Sequence, residues 1–333
     1  MDFPFRTEIK INESGKDFNY STPAFFIGSC FSDNIGRKLE KSKFTVMLNP
    51  FGVLYNPVSI CSALNTIIKK TQITHNDLIL HNNLYHSFLF HGSFSCTSPE
   101  KLIMKCNEVI EEANNFLKKS SFIFITFGSS FVYEYKETGE IVSNCHKIPD
   151  SAFKRYRLTV EQTVSKCNEL ISDLKYFNPE LQIIFTVSPV RHFKDGAHEN
   201  QLSKSVLLLA IDEIIKDNSN KEISYFPAYE IMNDELRDYR FYTEDMIHIS
   251  EIGVNYIYAQ FRKCFFKTNT LECMKEINEI VRASEHRILN PDPVSLSMFR
   301  DTMIAKILKF GSAYPFINFN KELEHFNNLS YIE

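Results

Sequence analysis

Short apolar runs recur along this chain, and each gives way to a polar loop and then to a stretch with helical spacing. Residues 24–28, 121–127, 181–187 and 223–229 are rich in Phe, Ile and Val, the pattern of strands buried on both faces. A shorter run at 44–47 reads as a further strand. Helical periodicity follows at about 57–70, 99–118, 158–176, 202–216 and 250–265, with Pro57 and Pro99 suited to a first helical turn. Two segments break this rhythm. Residues 78–96 alternate apolar and polar positions and read as a hairpin turning at Asn82-Asn83; 131–135 and 140–142 read as a second, around Thr138-Gly139.

Strands alternating with helices predict an α/β fold with a parallel sheet covered on both faces. Right-handed crossovers make it a three-layer α/β/α, doubly wound sandwich with two hairpin insertions. Residues 1–270 form that domain. Residues 271–333 form a C-terminal helical extension, with helices at 271–287 and 294–310 and a polar, aromatic end at 316–333 expected to wrap the body or a partner subunit.

A 44% hydrophobic content suffices for a full core, and with 30 Phe and no Trp that core is expected to rest on Phe. The net charge of -4 gives no reason to expect nucleic acid or an anionic membrane as partner. No apolar run approaches the ~20 residues that span a bilayer, and the first residues lack the apolar core of a signal peptide. The Cys at 30, 61, 96, 106, 145, 167, 264 and 273 form no C-x-x-C pair, so reduced thiols and a cytoplasmic location are expected. His81, His86 and His91 are five apart, a spacing that on strands turns alternate members to opposite faces, so no metal site is expected. No dinucleotide fingerprint or G-x-x-x-x-G-K loop is present, so no cofactor is implied.

The chemistry concentrates in two places. Residues 24–36 run strand, Gly28, Ser29, Cys30, then a helix start with Ser32 or Asp33 as N-cap. That arrangement sets a nucleophile at the carboxyl edge of a sheet, where helix N–H groups meet developing negative charge and the helix dipole is expected to lower the pKa of Cys30. An ordinary strand-to-helix turn with a buried Cys has the same pattern. Asp245 and His248 stand three apart in the loop before the last helix of the α/β unit. A carboxylate holding one imidazole nitrogen leaves the other free to take a proton.

These motifs resemble a known family. Phe26-Ile27-Gly28-Ser29-Cys30-Phe31-Ser32 is similar to the signature of the GSCFA-domain family. The stretch from Asn49 to Pro57, Thr126-Phe127-Gly128, Asn144-Cys145-His146-Lys147 and Ser188-Pro189-Val190-Arg191-His192 resemble its further blocks, over roughly residues 1–270. The family is similar to the SGNH, or GDSL-like, hydrolases, which implies a flavodoxin-like sheet and a Ser-His-Asp style of catalysis. Matched block by block, Cys30 takes the nucleophile position and Ser29 the preceding Asp; a turn shifted by one residue would make Ser29 the nucleophile. Asp245 and His248 match the last block. Gly52 matches the loop glycine whose N–H serves the oxyanion hole, and Ser130 stands where those enzymes carry an Asn donor, with Asn144 or His146 as substitutes. His146, Lys147, Arg191 and His192 are the candidates for binding a polar or anionic part of the substrate, and Ser29, if not the nucleophile, for contacting it as well.

The resemblance implies an esterase or deacylase acting on a small-molecule or carbohydrate ester. An acyltransferase moving an acyl group to or from a polysaccharide precursor, with acyl-CoA as a possible donor, would use the same residues. The third reading is a catalytically inert sugar-binding or scaffold protein on the same fold. The oligomeric state is left open by the sequence.

Overall fold

The computed structural model describes residues 7–11, 13–219, 222–286 and 292–329. The extreme N-terminus, the end of the helix expected to reach 287 and the last residues of the expected wrapping tail lie outside them.

In chain order the elements are β1 (Ala24–Gly28), α1 (Cys30–Lys41), β2 (Val46–Leu48), α2 (Pro57–Lys69), a hairpin of β3 (Ile79–His81) and β4 (Leu84–His86), and α3 (Pro99–Lys119). Next come β5 (Phe122–Phe127), β6 (Phe131–Tyr135), β7 (Ile141–Val142), β8 (Phe153–Arg157), α4 (Val160–Phe177), β9 (Gln182–Val187), α5 (Gly196–Asp217) and β10 (Ile223–Tyr225). A short turn, α6 (Ala228–Glu230), leads to α7 (Glu251–Phe265), α8 (Thr268–Glu285), α9 (Pro293–Ala313) and α10 (Asn320–Asn327).

Among the described residues, five strands form the central sheet in the order β10-β9-β5-β1-β2, and every neighbouring pair is parallel. The chain therefore runs from β1 outward to β2 and then returns to lay β5 on the other side of β1. That reversal opens a crevice above the carboxyl ends of β1 and β5, the usual ligand site of such sheets.

Alternate strand residues feed two separate cores, as a period of two dictates. Phe26, Phe122, Phe124 and Ile184 face a core shared with α1 and α7, while Phe25, Ile27, Ile123, Ile125 and Phe185 face one shared with α2, α3, α4 and α5. Phe does fill much of the first core: Phe26 stacks on Phe124 with ring centroids 4.5 Å apart, and Phe124 meets Phe261 at 5.2 Å. The C-terminal helices join this same core through Met274, Ile277, Ile280, Ile307, Phe310 and Phe326. Lys43 also holds the half of the tail beyond α9, through a 2.7 Å ion pair with Glu322.

Several boundaries differ from expectation. The helix expected to follow Ser32 or Asp33 begins at Cys30, because Ser29 is the N-cap and its side chain accepts from the Phe31 N–H. The first hairpin is confined to β3 and β4, with Asn82 and Asn83 both at positive φ in its turn. β8, a largely polar stretch that the apolar pattern leaves unassigned, pairs with β6 along its whole length to make, with β7, a three-stranded antiparallel sheet. α5 starts at Gly196, ahead of its apolar stretch, and β10 stops at Tyr225 because the chain turns helical at Ala228. The end expected to wrap the body or a partner subunit contains α10.

Gly28 is the tightest point of the sheet. It sits at φ 133°, and a Cβ there would lie 2.1 Å from the Thr126 carbonyl oxygen of β5. Gly28→Ala is therefore expected to destabilise the fold by roughly 2–4 kcal/mol, combining backbone strain with a backbone clash. Gly311→Ala, in α9 with open space around it, is expected to stabilise by ~0.5–1 kcal/mol. Urea denaturation of the two variants checks the contrast; equal midpoints would contradict it.

Candidate active site

Loops from the carboxyl ends of the strands converge above the β1/β5 crevice. The Gly28 N–H donates to Asn49 Oδ1 at 2.8 Å, and Asn49 Nδ2 donates to Asp33 Oδ1 at 2.7 Å, so one side chain after β2 ties the end of β1 to the first turn of α1. The Ser29 N–H donates to the Thr126 carbonyl at 3.1 Å. Ser29 is fully buried. Cys30, the first residue of α1, is half-buried.

The loop before α2 brings Tyr55. Its carbonyl accepts the Gly128 and Ser129 N–H groups at 2.8 and 3.0 Å, which binds this loop to the end of β5. Its ring meets His192, from the loop after β9, edge-on with centroids 5.4 Å apart. One residue earlier, the Arg191 N–H donates to the Ile247 carbonyl at 3.5 Å, so the β9 loop rests on the loop that carries His248.

Asp245 and His248 form the expected pair. Asp245 Oδ2 lies 2.6 Å from His248 Nδ1. Its Oδ1 accepts from the Thr243 hydroxyl at 2.7 Å and from the Ile247 and His248 N–H groups at 2.9 Å each. The His248 backbone N–H, the Thr243 hydroxyl, the His248 ring and the Ile247 N–H hold the Asp245 carboxyl well below the usual carboxylate range. An ionised carboxylate only accepts, so Nδ1 carries the ring proton and Nε2 is left as the acceptor. Both side chains remain about half exposed, at 55% for His248 and 46% for Asp245.

Among the described residues no hydrogen bond joins Cys30 to His248. Their connection runs through a short relay of neighbours. Cys30 is close enough to Tyr55 for their charges to interact, Tyr55 packs on His192, and His192 feels the charge of His248.

The expected activation of Cys30 by its helix does not prevail. Burial pushes the thiol up, and Asp33 pushes it further; the Cys30 and Phe31 N–H groups and Lys204 act in the opposite sense but do not win. Two of the expected oxyanion donors, Gly52 and Ser130, are also engaged elsewhere. The Gly52 N–H closes a turn on the Asn49 carbonyl at 2.7 Å. Ser130 is fully buried and donates both its N–H and its hydroxyl to Ser203 Oγ, at 2.8 and 3.0 Å. Asn144 Oδ1 accepts the His146 N–H at 2.8 Å.

Of the expected substrate-binding residues, His146 is buried in the insertion. Its Nε2 lies 2.8 Å from the Ser87 carbonyl, its ring stacks near His86, and burial lowers its pKa to about 4. Lys147 is exposed beside it. Arg191 donates to Asn233 Oδ1 at 3.0 Å and lines a cavity of about 270 Å³ with Asn233, Asp238, Tyr239 and Tyr242. His192 is the best placed of the set. Burial, followed by the charges of Lys204, His248 and Arg155, lowers its pKa to about 4, and its buried Nε2 has no hydrogen-bond partner among the described residues.

Sequence reasoning missed Asn49, Tyr55, Ser203 and Lys204. For the last two a signal existed. Asn200, Ser203 and Lys204 continue the buried stripe of Leu207, Ala210, Ile211 and Ile214 along α5, at the three- and four-residue spacing of one helix face. Polar residues on such a stripe mark groups held inside for a reason other than apolar packing.

A model described as the GSCFA family matches residues 23–261, and one described as the C-terminal domain of GSCFA domain proteins matches residues 277–329. The second match covers a tail that the motif resemblance had left outside. No curated protein matches the chain in sequence. Among solved structures, an acetyl xylan esterase from the rumen bacterium Butyrivibrio proteoclasticus is similar over 76% of this chain, at 11% identity and a TM-score of 0.39; this chain spans 65% of that one. A carbohydrate esterase family 3 protein from Talaromyces cellulolyticus is similar over 77% of this chain and 99% of its own, at 6% identity and a TM-score of 0.36. Likenesses this distant carry no argument about activity.

A thiol whose pKa is raised is protonated at neutral pH and becomes reactive only as pH climbs past its ordinary value. Alkylation of Cys30 by iodoacetamide, followed by peptide mass mapping, is therefore expected to rise with a midpoint above about 8.5, the value of a free cysteine. A midpoint below 7 would show that the helix N-terminus outweighs burial.

Proposed function

The chain belongs to the GSCFA family, and from that premise and the geometry of the strand ends we propose that it is a thiol-dependent esterase of the SGNH type, its doubly wound α/β domain using Cys30, His248 and Asp245. The observation that carries this reading is the Asp245–His248 pair. One imidazole nitrogen is bound to a carboxylate at 2.6 Å and the other is left to accept a proton, on a loop docked against the loops that border Cys30.

In this reading His248 Nε2 takes the Cys30 proton and the sulfur attacks the ester carbonyl. His248 returns that proton to the leaving alcohol, and a thioester remains on Cys30. Water, deprotonated by His248, then attacks the thioester, and the expelled thiolate regains its proton. We take Cys30 rather than Ser29 as the nucleophile because Ser29 is buried and its hydroxyl caps α1. Substrate closure would bring sulfur and imidazole into contact, since such bonds often tighten only once substrate is present.

With the Gly52 N–H and the Ser130 hydroxyl engaged elsewhere, the oxyanion in this reading takes other donors. The Cys30 N–H at the start of α1 is one. The unpartnered Nε2 of His192, on a ring that is neutral above pH of about 4, is the other. The partly exposed rings of Tyr55 and Phe193 offer an apolar face beside this site, which suits stacking of a sugar and favours an acylated carbohydrate as substrate.

Hydrolysis of p-nitrophenyl acetate and of an acetylated sugar tests the reading. Cys30→Ala and His248→Ala are expected to lose at least ~10³-fold in kcat/KM, and Asp245→Asn roughly 10²-fold or more. Wild-type turnover in Cys30→Ala and His248→Ala would remove the proposed site.

A further inference from the structure

Beyond β9 the chain carries Arg191 to one wall of the cavity of about 270 Å³, whose other walls come from the stretch between α6 and α7. This cavity is joined to the candidate catalytic loop on two sides. The Arg191 N–H donates to the Ile247 carbonyl, and Tyr242 pairs with Ile249 in an antiparallel bridge. The Thr243 N–H donates to the His248 carbonyl at 2.9 Å, so the residue after Tyr242 is tied to the backbone of the imidazole itself. The volume falls below the ~300–1,000 Å³ of pockets that enclose a whole ligand. It suits one ring of a longer substrate whose reacting part lies at His248.

The charges around the cavity point to what that ring carries. Arg237 pairs with Asp234 at 3.5 Å, and Asp238 pairs with Arg240 at 3.2 Å. Arg191 is half-buried, and among the described residues no carboxylate lies in ion-pairing range of it. Its Nη2 donates to Asn233 Oδ1 at 3.0 Å. Asn233 is oriented in turn by its Nδ2, which donates to the Tyr229 carbonyl at 2.7 Å and leaves the oxygen turned to Arg191. A guanidinium presents five N–H donors in a rigid fork. Here that fork is aimed by one neutral partner, and its remaining donors have no protein partner among the described residues. A planar carboxylate matches such a fork with two parallel hydrogen bonds. A phosphate would bring up to two negative charges to a wall that holds one unpaired cation and the Asp238 carboxylate. Tyr239, 78% exposed, and Tyr242 add the aromatic faces on which a sugar ring stacks.

We propose that this cavity is a subsite for an acidic sugar, its carboxylate bound in the fork of Arg191 and its ring flanked by Tyr239 and Tyr242. The inference rests on reading His248 as the catalytic base. It narrows the substrate to an ester on a carbohydrate that carries a carboxylate, as a uronic acid does.

The test is NMR titration of the full chain with three glycosides of one ring: methyl glucuronide, the neutral methyl glucoside and methyl glucoside 6-phosphate. None carries an acyl group, so no turnover is needed. Wild type is expected to bind the glucuronide about tenfold more tightly than the glucoside, and Arg191→Gln to lose that preference. Equal affinity for the two, no binding of either, or an unchanged preference in folded Arg191→Gln overturns the subsite. Tighter binding of the 6-phosphate than of the glucuronide overturns the carboxylate assignment. Should Arg191→Gln fail to fold, Tyr239→Ala, at an exposed position, decides. It is expected to weaken the glucuronide about threefold or more, and an unchanged affinity overturns the proposal. Acetylated forms of the glucuronide and the glucoside separate this inference from the esterase reading. A preference for the acid in binding, with no acetate released from either ester, would refute the esterase and leave the subsite. Release of acetate with no preference for the acid would do the reverse.

Discussion

The closeness of β1 to β5 at Gly28 is the constraint on which the rest of this site depends. No side chain fits there, because the Thr126 carbonyl occupies the space a Cβ would need. The chain can therefore turn at once, donate the Ser29 N–H to the same carbonyl, and begin α1 at Cys30. Asn49 then fixes that turn from β2, accepting from Gly28 and donating to Asp33. Position 30 thus falls in the crevice where the sheet order reverses, at a helix N-terminus, from packing requirements alone.

The electrostatics of the site divide between a dry half and a wet half. Cys30 is held among buried groups that resist its ionisation, whereas Asp245 and His248 sit on an exposed loop locked by the carboxylate's own hydrogen bonds. A thiol in such a place gains little from its helix dipole, since desolvation outweighs the backbone N–H groups. As a nucleophile it would need a base that arrives with substrate. In the proposed reading His248 is that base. The arrangement also protects the thiol at rest, because a protonated sulfur is a poor target for oxidants.

Much of the fold was legible because buried parallel strands spell themselves as apolar runs. Ala24–Gly28, Phe122–Phe127 and Gln182–Val187 are visible in this way, and Asp245 and His248 pair as their spacing suggests. β8 was not legible, because Phe-Lys-Arg-Tyr-Arg is half exposed and its pairing with β6 is decided by partners distant in sequence. The hydrogen bonds of the expected oxyanion residues were not legible for a related reason. Whether the Gly52 N–H or the Ser130 hydroxyl is free depends on the Asn49 carbonyl and on Ser203, and no local pattern reports hydrogen bonds already spent. Lys204 was hidden by its residue type, since a lysine reads as surface until the stripe on either side of it is followed along the helix.

The claim at the centre is that sulfur at position 30 takes up an acyl group. The direct measurement is acid quenching of the wild-type protein during turnover of an activated acetyl ester, followed by mass mapping of its peptides. An added acetyl mass on Cys30, missing when Cys30 is replaced by Ser, is the predicted result. An acetyl group on Ser29, or turnover with no acylated residue at all, would contradict the account.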